Sequence, residues 1–508
     1  MLEVAATGVV IESGGPGLWL PIAVTLHVIV APLVALHCLR TRREAPSALL
    51  WIFVAWSLPV LGALLYLGFG VNRIRAKAWR KQQTDDELRE TRRTIVEADS
   101  PALIYWKAVH TAPLPEPEEP TARDLETALS GLLPDYPLLG GNGFRILVDG
   151  DEAYPPMLAA IREARHHIHL QSFIIGNDEV GRDFLEAMAE RARAGVKVRV
   201  LYDRFGSTRA VFGGLFRPYR HIPNLHLVGW TQANPIKRQF QVNLRNHRKA
   251  LIVDGTVAFT GGLNLAASNR SAPGRPAIRD YHFLLRGPIV QELQYTFLRD
   301  WYFMTDEPAD DLLRAEHFPN VPPGGTARVR VINSGPTNTE NGVVGEAFFA
   351  AIVSARRQIV ALTPYFVPPV DLIQALRSAA RRRVEVKLVL PRRSNHAYAG
   401  LAARALYEEL MEAGVRIFER EPPFLHAKAL VVDGVLALVG TANLDERSLR
   451  LNYETHLAVH DQDFAYNLSI LIAGELARSQ EIDLAAWRRR PHRQKLLENF
   501  CSLLTPVL

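Results

Sequence analysis

Two stretches far apart in the chain carry the same chemistry-bearing residues. The first reads NHRKALIVDGTVAFTGGLNLA from Asn246 and the second LHAKALVVDGVLALVGTANLD from Leu425. His247, Lys249, Asp254, Gly261 and Asn264 recur as His426, Lys428, Asp433, Gly440 and Asn443, at a constant offset of 179 positions (426 − 247). A repeated strand would account for shared hydrophobicity, but not for polar and glycine identities held in register. His and Lys two apart on a strand project from one face, where they can grip a single anion. Asp-Gly after an apolar run signals a two-residue hairpin turn. That turn would set Gly262 across from His247 with Asn264 a step away, and Thr441 across from His426 with Asn443 beside it. Glycines admit close backbone approach, and the helix that follows offers N–H groups to a phosphate.

Each motif is therefore expected to be a phosphate cradle. Two cradles face to face put a nucleophile on one side of phosphorus and a proton donor on the other, the arrangement of in-line displacement. One imidazole forms a phosphohistidine, the other protonates the departing alkoxide, and the Lys and Asn pairs neutralise the non-bridging oxygens. This chemistry needs neither metal nor cofactor. The tautomers of the two imidazoles call for carboxylates, and the chain supplies Asp280 after the first motif and Glu454 after the second. The candidate catalytic set is His247, Lys249, Asp254, His426, Lys428 and Asp433. Asn264, Asn443, Gly262, Thr441, Asp280 and Glu454 are the candidate phosphate-binding and supporting residues. Asp254 and Asp433, at the turns, are remote from the imidazoles, so positioning or an ordinary turn role suits them better than proton transfer.

The elements that must position these residues also repeat. FRILVDG, MLAAIREARHH and IHLQSFII read as strand, helix and strand, as do VRVIN, GEAFFAAIVSARR and QIVALTPYFV. FLEAMAERARAG with VKVRVLYD is then matched by LIQALRSAARR with VEVKLVLP. Helical periodicity alternating with short β-branched runs predicts βαβ units and a mainly parallel sheet in each half.

Upstream, Leu18 to Leu39 and Ser47 to Gly70 contain no Asp, Glu, Lys or Arg. About 20 apolar residues span a bilayer, and Trp19, Trp51, Trp56 and Tyr66 are rings that interfaces favour, so a transmembrane hairpin is expected. Arg73, Arg75, Lys77, Arg80 and Lys81 follow, a basic run suited to anionic headgroups, and the charge bias puts the bulk of the chain in the cytoplasm. The spacer APLPEPEEP, from Ala112 to Pro120, marks a domain boundary. A net charge of +6 with 48% hydrophobic residues excludes a disordered chain and a wholly membrane-embedded channel. Two cysteines, Cys38 and Cys501, argue against a disulfide framework. The run His166, His167, His169 reads as packing rather than a metal site.

The doubled HxKxxxxD pattern with its GGxN and GTxN extensions resembles the phospholipase D superfamily from about Asn142 to Asp461. With the apolar hairpin and RSLRLNYE added, the chain resembles the bacterial cardiolipin synthases nearly end to end. The resemblance implies an α/β fold of two pseudo-repeated α-β-α sandwich lobes packed face to face, preceded by the hairpin. The expected domains are 1–72 for the hairpin, 73–141 for the basic segment and linker, 142–322 for the first lobe and 323–508 for the second. It further implies that two phosphatidylglycerol molecules become cardiolipin and glycerol at the inner membrane, with His247 as nucleophile and His426 as acid and then base. Gly262 stands where many superfamily members carry serine, with Thr441 a near substitute. Phosphatidylglycerol, other anionic phospholipids and a membrane are the expected partners, nucleic acid is not, and oligomeric state is left open. The alternatives are a hydrolytic phospholipase D, a nucleic-acid phosphodiesterase, disfavoured by the lack of a basic stripe interleaved with aromatics, and an inactive lipid-binding scaffold.

Overall fold

A computed structural model describes residues 19–40, 45–58, 60–67, 74–97, 114, 117, 119–230, 244–337 and 339–503. The chain divides into two compact units, Met1–Arg75 and Ala76–Leu508. Arg73, the connection 41–44 and most of the proline-rich spacer lie outside the described residues.

In the first unit the leading apolar run is one helix, Trp19–Arg40 (α1), and the next begins as Ala45–Ser57 (α2). The second run does not continue as a single helix. It resumes as Leu61–Leu65 (α3) after Val60, whose φ of +64° is left-handed, and Pro59 brings no backbone N–H for a helical ladder. At about 1.5 Å per residue, α2 falls well short of a hydrocarbon core of roughly 30 Å. Among the described residues no helix is long and apolar enough to cross a membrane. The expected pair of spanning helices is thus replaced by a pair of apolar helices and a short third. Val34, Cys38, Ala55 and Tyr66 pack between them, while Leu33, Leu50 and Phe53 face outward.

In the second unit the first half supplies Leu139–Val148 (β1), His167–Ser172 (β2), Lys197–Asp203 (β3), Leu225–Trp230 (β4), Ala250–Val253 (β5), Val257–Gly261 (β6) and Tyr281–Arg286 (β7). The second supplies Ala327–Ser334 (β8), Gln358–Leu362 (β9), Phe366–Val367 (β10), Glu385–Pro391 (β11), Arg416–Arg420 (β12), Ala429–Val432 (β13), Leu436–Gly440 (β14), Leu444–Asp445 (β15), Glu454–His460 (β16) and Ser479–Glu481 (β17). All but β10 and β15 form one sheet, ordered β17-β12-β11-β9-β13-β14-β16-β8-β1-β7-β6-β5-β2-β3-β4. Read outward from the antiparallel β1–β8 seam, the order β1, β7, β6, β5, β2, β3, β4 matches β8, β16, β14, β13, β9, β11, β12 strand for strand. The sheet is not mainly parallel. Parallel pairing is confined to β2–β3–β4 and β9–β11–β12, because the motif hairpins can only enter antiparallel.

Alternation along the strands divides the core. Ile252, Leu285, Val329 and Val431 point into a cluster common to both halves, where the helices Ile289–Met304 and Gln462–Leu476 contribute Phe297, Trp301, Phe464 and Leu468. Leu251 and Val253 turn the other way, under the helices Asp149–Glu163 and Glu179–Arg193, and Leu430 and Val432 under Val343–Ser354 and Val370–Arg381. The chain ahead of β1 is bound into these cores. Leu88 of the helix Ile74–Glu97 (α4) joins the common cluster, and Leu125 and Leu129 of the helix Pro120–Leu132 join that of the second half. Lys81, expected to face headgroups, is instead fully buried, paired with Asp85 and 3.4 Å from Asp300.

Candidate active site

Each motif hairpin turns tightly but enters a register one residue away from the simple two-residue expectation. Asp254 and Gly255 are both left-handed, and the Thr256 N–H donates to the Val253 carbonyl at 3.1 Å. Val253 then pairs with Val257 rather than Thr256, leaving Thr256 as an extra residue, and Val435 is extra in the same way between Val432 and Leu436. A one-residue slip exchanges the faces of a strand, so the residue opposite His247 is not Gly262.

The turn aspartates have a clear place. Asp254 accepts the backbone N–H groups of Arg165, His166 and His167 at 2.8, 2.8 and 2.9 Å, and Asp433 those of Arg356, Arg357 and Gln358 at 2.8, 2.8 and 2.7 Å. Each clamps a hairpin tip to the start of the neighbouring antiparallel strand, β2 or β9. Neither touches an imidazole. Asp254→Ala is expected to cost about 2 kcal/mol of stability, for the donors left unpaired, while turnover at permissive temperature changes less than about threefold; calorimetry alongside initial rates reads both quantities.

The two histidines are held across the halves. His247 Nδ1–H donates to Glu454 Oε2 at 2.9 Å, and His426 Nδ1–H to Asp280 Oδ2 at 2.6 Å, so each imidazole takes its carboxylate from the other half. The backbone repeats the exchange beside each pair. His247 N–H donates to the Tyr453 carbonyl at 2.9 Å, and His426 N–H to the Arg279 carbonyl at 2.7 Å, Tyr453 and Arg279 being the residues just ahead of the two acids. With Nδ1 occupied as a donor, the Nε2 lone pair of each ring is left to act.

Around the imidazoles lie two buried lysines. Lys249 Nζ donates to the His247 carbonyl at 2.8 Å and stands 5.5 Å from the centre of the Phe173 ring, which meets His247 edge-on at 4.8 Å. Lys428 Nζ donates to the His426 carbonyl and is 3.0 Å from its Nδ1. Burial pushes Lys249 down to about 7 and Lys428 to about 8, with repulsion between the two adding to the fall at Lys249. Burial also lowers His247, and takes His426 to about 4, against the pull of their carboxylates. At Glu454 burial is outweighed by His247 and Lys249, leaving it at about 2, and at Asp280 by His426 and Lys428, which hold it below the ordinary range. Neutral imidazoles flanked by poorly solvated ammonium groups form a site that gains from an entering anion.

Gly262 and Thr441 lie against the two carboxylates. A Cβ at Gly262 would stand 2.0 Å from Asp280 Oδ1, so only glycine leaves room for the acid. At the matching position Thr441 Oγ1 donates to Glu454 Oε2 at 2.6 Å. The two motifs thus differ in how each accommodates its acid, by an absent Cβ in the first and a hydroxyl donor in the second. Asn264 Oδ1 accepts the Ile174 N–H at 3.2 Å; Asn443 Nδ2 donates to Ser448 Oγ at 3.2 Å while its Oδ1 is buried without a hydrogen bond.

One group was not singled out in the sequence. Arg248, between His247 and Lys249, points to the opposite side of its strand and donates to both Asp300 oxygens at 2.8 Å and to Glu340 at 3.1 Å. Asp300 also accepts from Asn246 Nδ2 at 3.1 Å and Gln171 Nε2 at 2.7 Å. Both residues flanking His247 are thereby fixed to one buried carboxylate.

The family model described as "Cardiolipin synthase, PLD-like domain" matches residues 157–301 and 348–472, and one described as "Phospholipase_D-nuclease N-terminal" matches residues 29–70. The chain is 34% identical over 483 residues to a cardiolipin synthase of Geobacillus kaustophilus, covering 94% of this chain and 91% of that protein. It is 32% identical over 473 residues to cardiolipin synthase 2 of Bacillus anthracis, covering 92% and 88%. Among solved structures, the phosphatidylserine synthase of Haemophilus influenzae aligns with a TM-score of 0.57 at 16% identity, over 76% of this chain and 100% of that one, a likeness of fold.

Proposed function

The chain belongs to the cardiolipin synthase family of phospholipase D-like proteins, and from that premise we propose that it joins two phosphatidylglycerol molecules into cardiolipin and glycerol through a phosphohistidine. It is a phospholipid phosphatidyltransferase. The observation that carries the mechanism is the crossed pairing of His247 with Glu454 and His426 with Asp280, which supplies two tautomer-fixed imidazoles to one site.

His247 Nε2 attacks the phosphorus of the donor lipid while the bond to the glycerol headgroup breaks. His426 takes a proton from solvent on Nε2, its proton affinity raised by the phosphate anion now beside it, and gives that Nε2 proton to the departing glycerol oxygen. It then takes the proton of the hydroxyl of a second phosphatidylglycerol, whose oxygen attacks phosphorus and releases His247. Lys249, Lys428, Asn264 and Asn443 steady the non-bridging oxygens; as the anion enters, both lysines regain full charge. The apolar N-terminal helices hold the enzyme at the membrane that contains its substrate, with the body on the cytoplasmic side.

Purified protein in detergent with phosphatidylglycerol should yield cardiolipin and free glycerol in equal amounts by mass spectrometry. Phosphatidic acid as the sole product would make the enzyme a hydrolase instead, and cleavage of plain DNA would move it to the phosphodiesterases. Glu454→Gln keeps the shape but cannot hold His247 in the same tautomer, and should lower kcat by roughly 10²- to 10⁴-fold with KM nearly unchanged.

A further inference from the structure

We propose that the C-terminal helix His492–Leu503 is a second membrane contact, an amphipathic element that seats on the anionic surface of the bilayer beside the active site. The proposal rests on the lipid-transferring activity inferred above, and adds a surface that the apolar N-terminal helices do not provide.

The helix has two unlike faces. Glu498 and Cys501 are buried, with Cys501 packed on Val367, Ala402 and Leu401 of the second half. Leu496, Leu497, Phe500 and Leu503 fall on the other side, at 69%, 51%, 59% and 75% exposure, an unbroken apolar stripe at helical spacing. Such a stripe on a water-facing surface is costly to leave uncovered and marks an interaction site.

Charge decides what covers it. The helix contains a single acid, Glu498, and that acid is turned inward to a bidentate pair with Arg490 at 2.7 and 2.6 Å. The charges that remain on the helix are cationic, with Arg493 exposed and Lys495 partly so, and Arg489 is exposed just ahead of it. An apolar stripe edged by basic groups, with its acid withdrawn, complements anionic headgroups over acyl chains. Phosphatidylglycerol supplies both in one molecule.

Its place in the fold connects it to the chemistry. Val367, which Cys501 touches, belongs to β10, and β10 pairs in parallel with β15, the strand that starts directly after Asn443. On the first half another exposed aromatic borders the site. Phe205 is 58% exposed, lies under the Arg245 guanidinium at 3.7 Å, and its N–H donates to Asp203, the carboxylate that also accepts the Asn246 N–H next to His247. Seating of the helix would keep the mouth of the site against the layer from which both substrate lipids are drawn.

The test uses the full chain reconstituted in vesicles of phosphatidylglycerol and phosphatidylcholine. Both native cysteines are buried, so Leu496→Cys carries an environment-sensitive fluorophore, with unsubstituted protein as the labelling control. A blue shift and quenching by lipids spin-labelled on their acyl chains is the expected result. A label that stays in water in the presence of these vesicles would overturn the proposal. So would disulfide cross-linking between unlabelled Leu496→Cys chains, which would place a second copy of the chain on the stripe. In parallel, Leu496→Gln with Phe500→Gln should slow transfer about 10-fold on bilayer phosphatidylglycerol and leave the rate on monomeric short-chain phosphatidylglycerol within twofold. Equal losses on both substrates would count against it. If the wild type makes no cardiolipin yet the label is quenched by lipid, the surface stands and the transferase reading falls.

Discussion

His247→Asn is expected to abolish both transfer and the covalent intermediate, whereas His426→Asn abolishes transfer but lets the intermediate accumulate from a donor whose leaving group needs no proton. The two imidazoles are alike in geometry: each has a cross-half carboxylate on Nδ1, a lysine donating to its own carbonyl, and a side chain only 12 or 13% exposed. Their roles separate by step. Loss of the nucleophile removes the first covalent bond, while loss of the acid removes the proton needed by a poor leaving group. Either change should lower cardiolipin formation about 10⁴-fold, equivalent to roughly 5.5 kcal/mol of barrier. A phosphatidyl ester of p-nitrophenol needs no proton on its leaving group, so His426→Asn should release one equivalent of nitrophenolate in a burst and stop at the second step. The protein would then carry an added phosphatidyl mass on His247, through a phosphorus–nitrogen bond that is lost in acid. Finding it on His426 would reverse the assignment, and a burst from neither variant would remove covalent catalysis from the reading.

The order of elements was legible because each half repeats its alternation of 3.6-residue and two-residue periods. The constant offset between His247 and His426 is by itself the mark of a duplication. Register was not legible. An Asp-Gly turn predicts a two-residue loop, but Asp254 and Asp433 also bind three backbone N–H groups of the adjacent strand, and the chain accommodates that clamp with one extra residue at Thr256 and Val435. The crossing of the carboxylates was equally hidden, since nothing local at Asp280 or Glu454 says which histidine each will meet. It follows from the backbone exchange of Arg279 with Phe424 and His426, and of Tyr453 with Arg245 and His247, which only the assembled halves create. The Gly262 and Thr441 difference is a readable trace of it once the acids are placed. Lys81 misled for a related reason: a basic run looks solvated, and only the position of Asp300 reveals that one of its members is drawn inside.

Below about pH 6 the protein is expected to unfold over a narrow range, well before its carboxylates titrate. His282, His317 and His456 are buried and held down to about 4, His460 to about 3, and His167 and His169 lie well below the usual value, burial being the leading cause in every case. His282 and His460 have no hydrogen bond at either ring nitrogen, and burial outweighs the Asp280 charge near His282, while Arg328 and Arg330 add to the fall at His460. The sign follows from these depressed values. In the unfolded chain each imidazole takes a proton near pH 6.5, and in the folded chain only near 4 or below. Stability is therefore fully present above about 6.5 and is lost as the pH falls toward 4. Each such group contributes at most about 1.4 kcal/mol per pH unit, so six acting together approach roughly 8 kcal/mol per unit, comparable to the 5–15 kcal/mol that typically holds a domain folded. The acids act in the same direction in a lower window: Glu454, held at about 2, and Asp280, held below the ordinary range, lose their contribution only as the pH falls through and below the ordinary carboxylate range. Urea titrations from pH 8 to 5 should show a steep fall in unfolding free energy below 6.5. His460→Leu, which fills the same buried position without a titrating ring, should lower the slope by about one proton. A stability that stays level from pH 7 to 5 would mean that these imidazoles are already protonated in the native protein, and the electrostatic account of the core would have to be replaced.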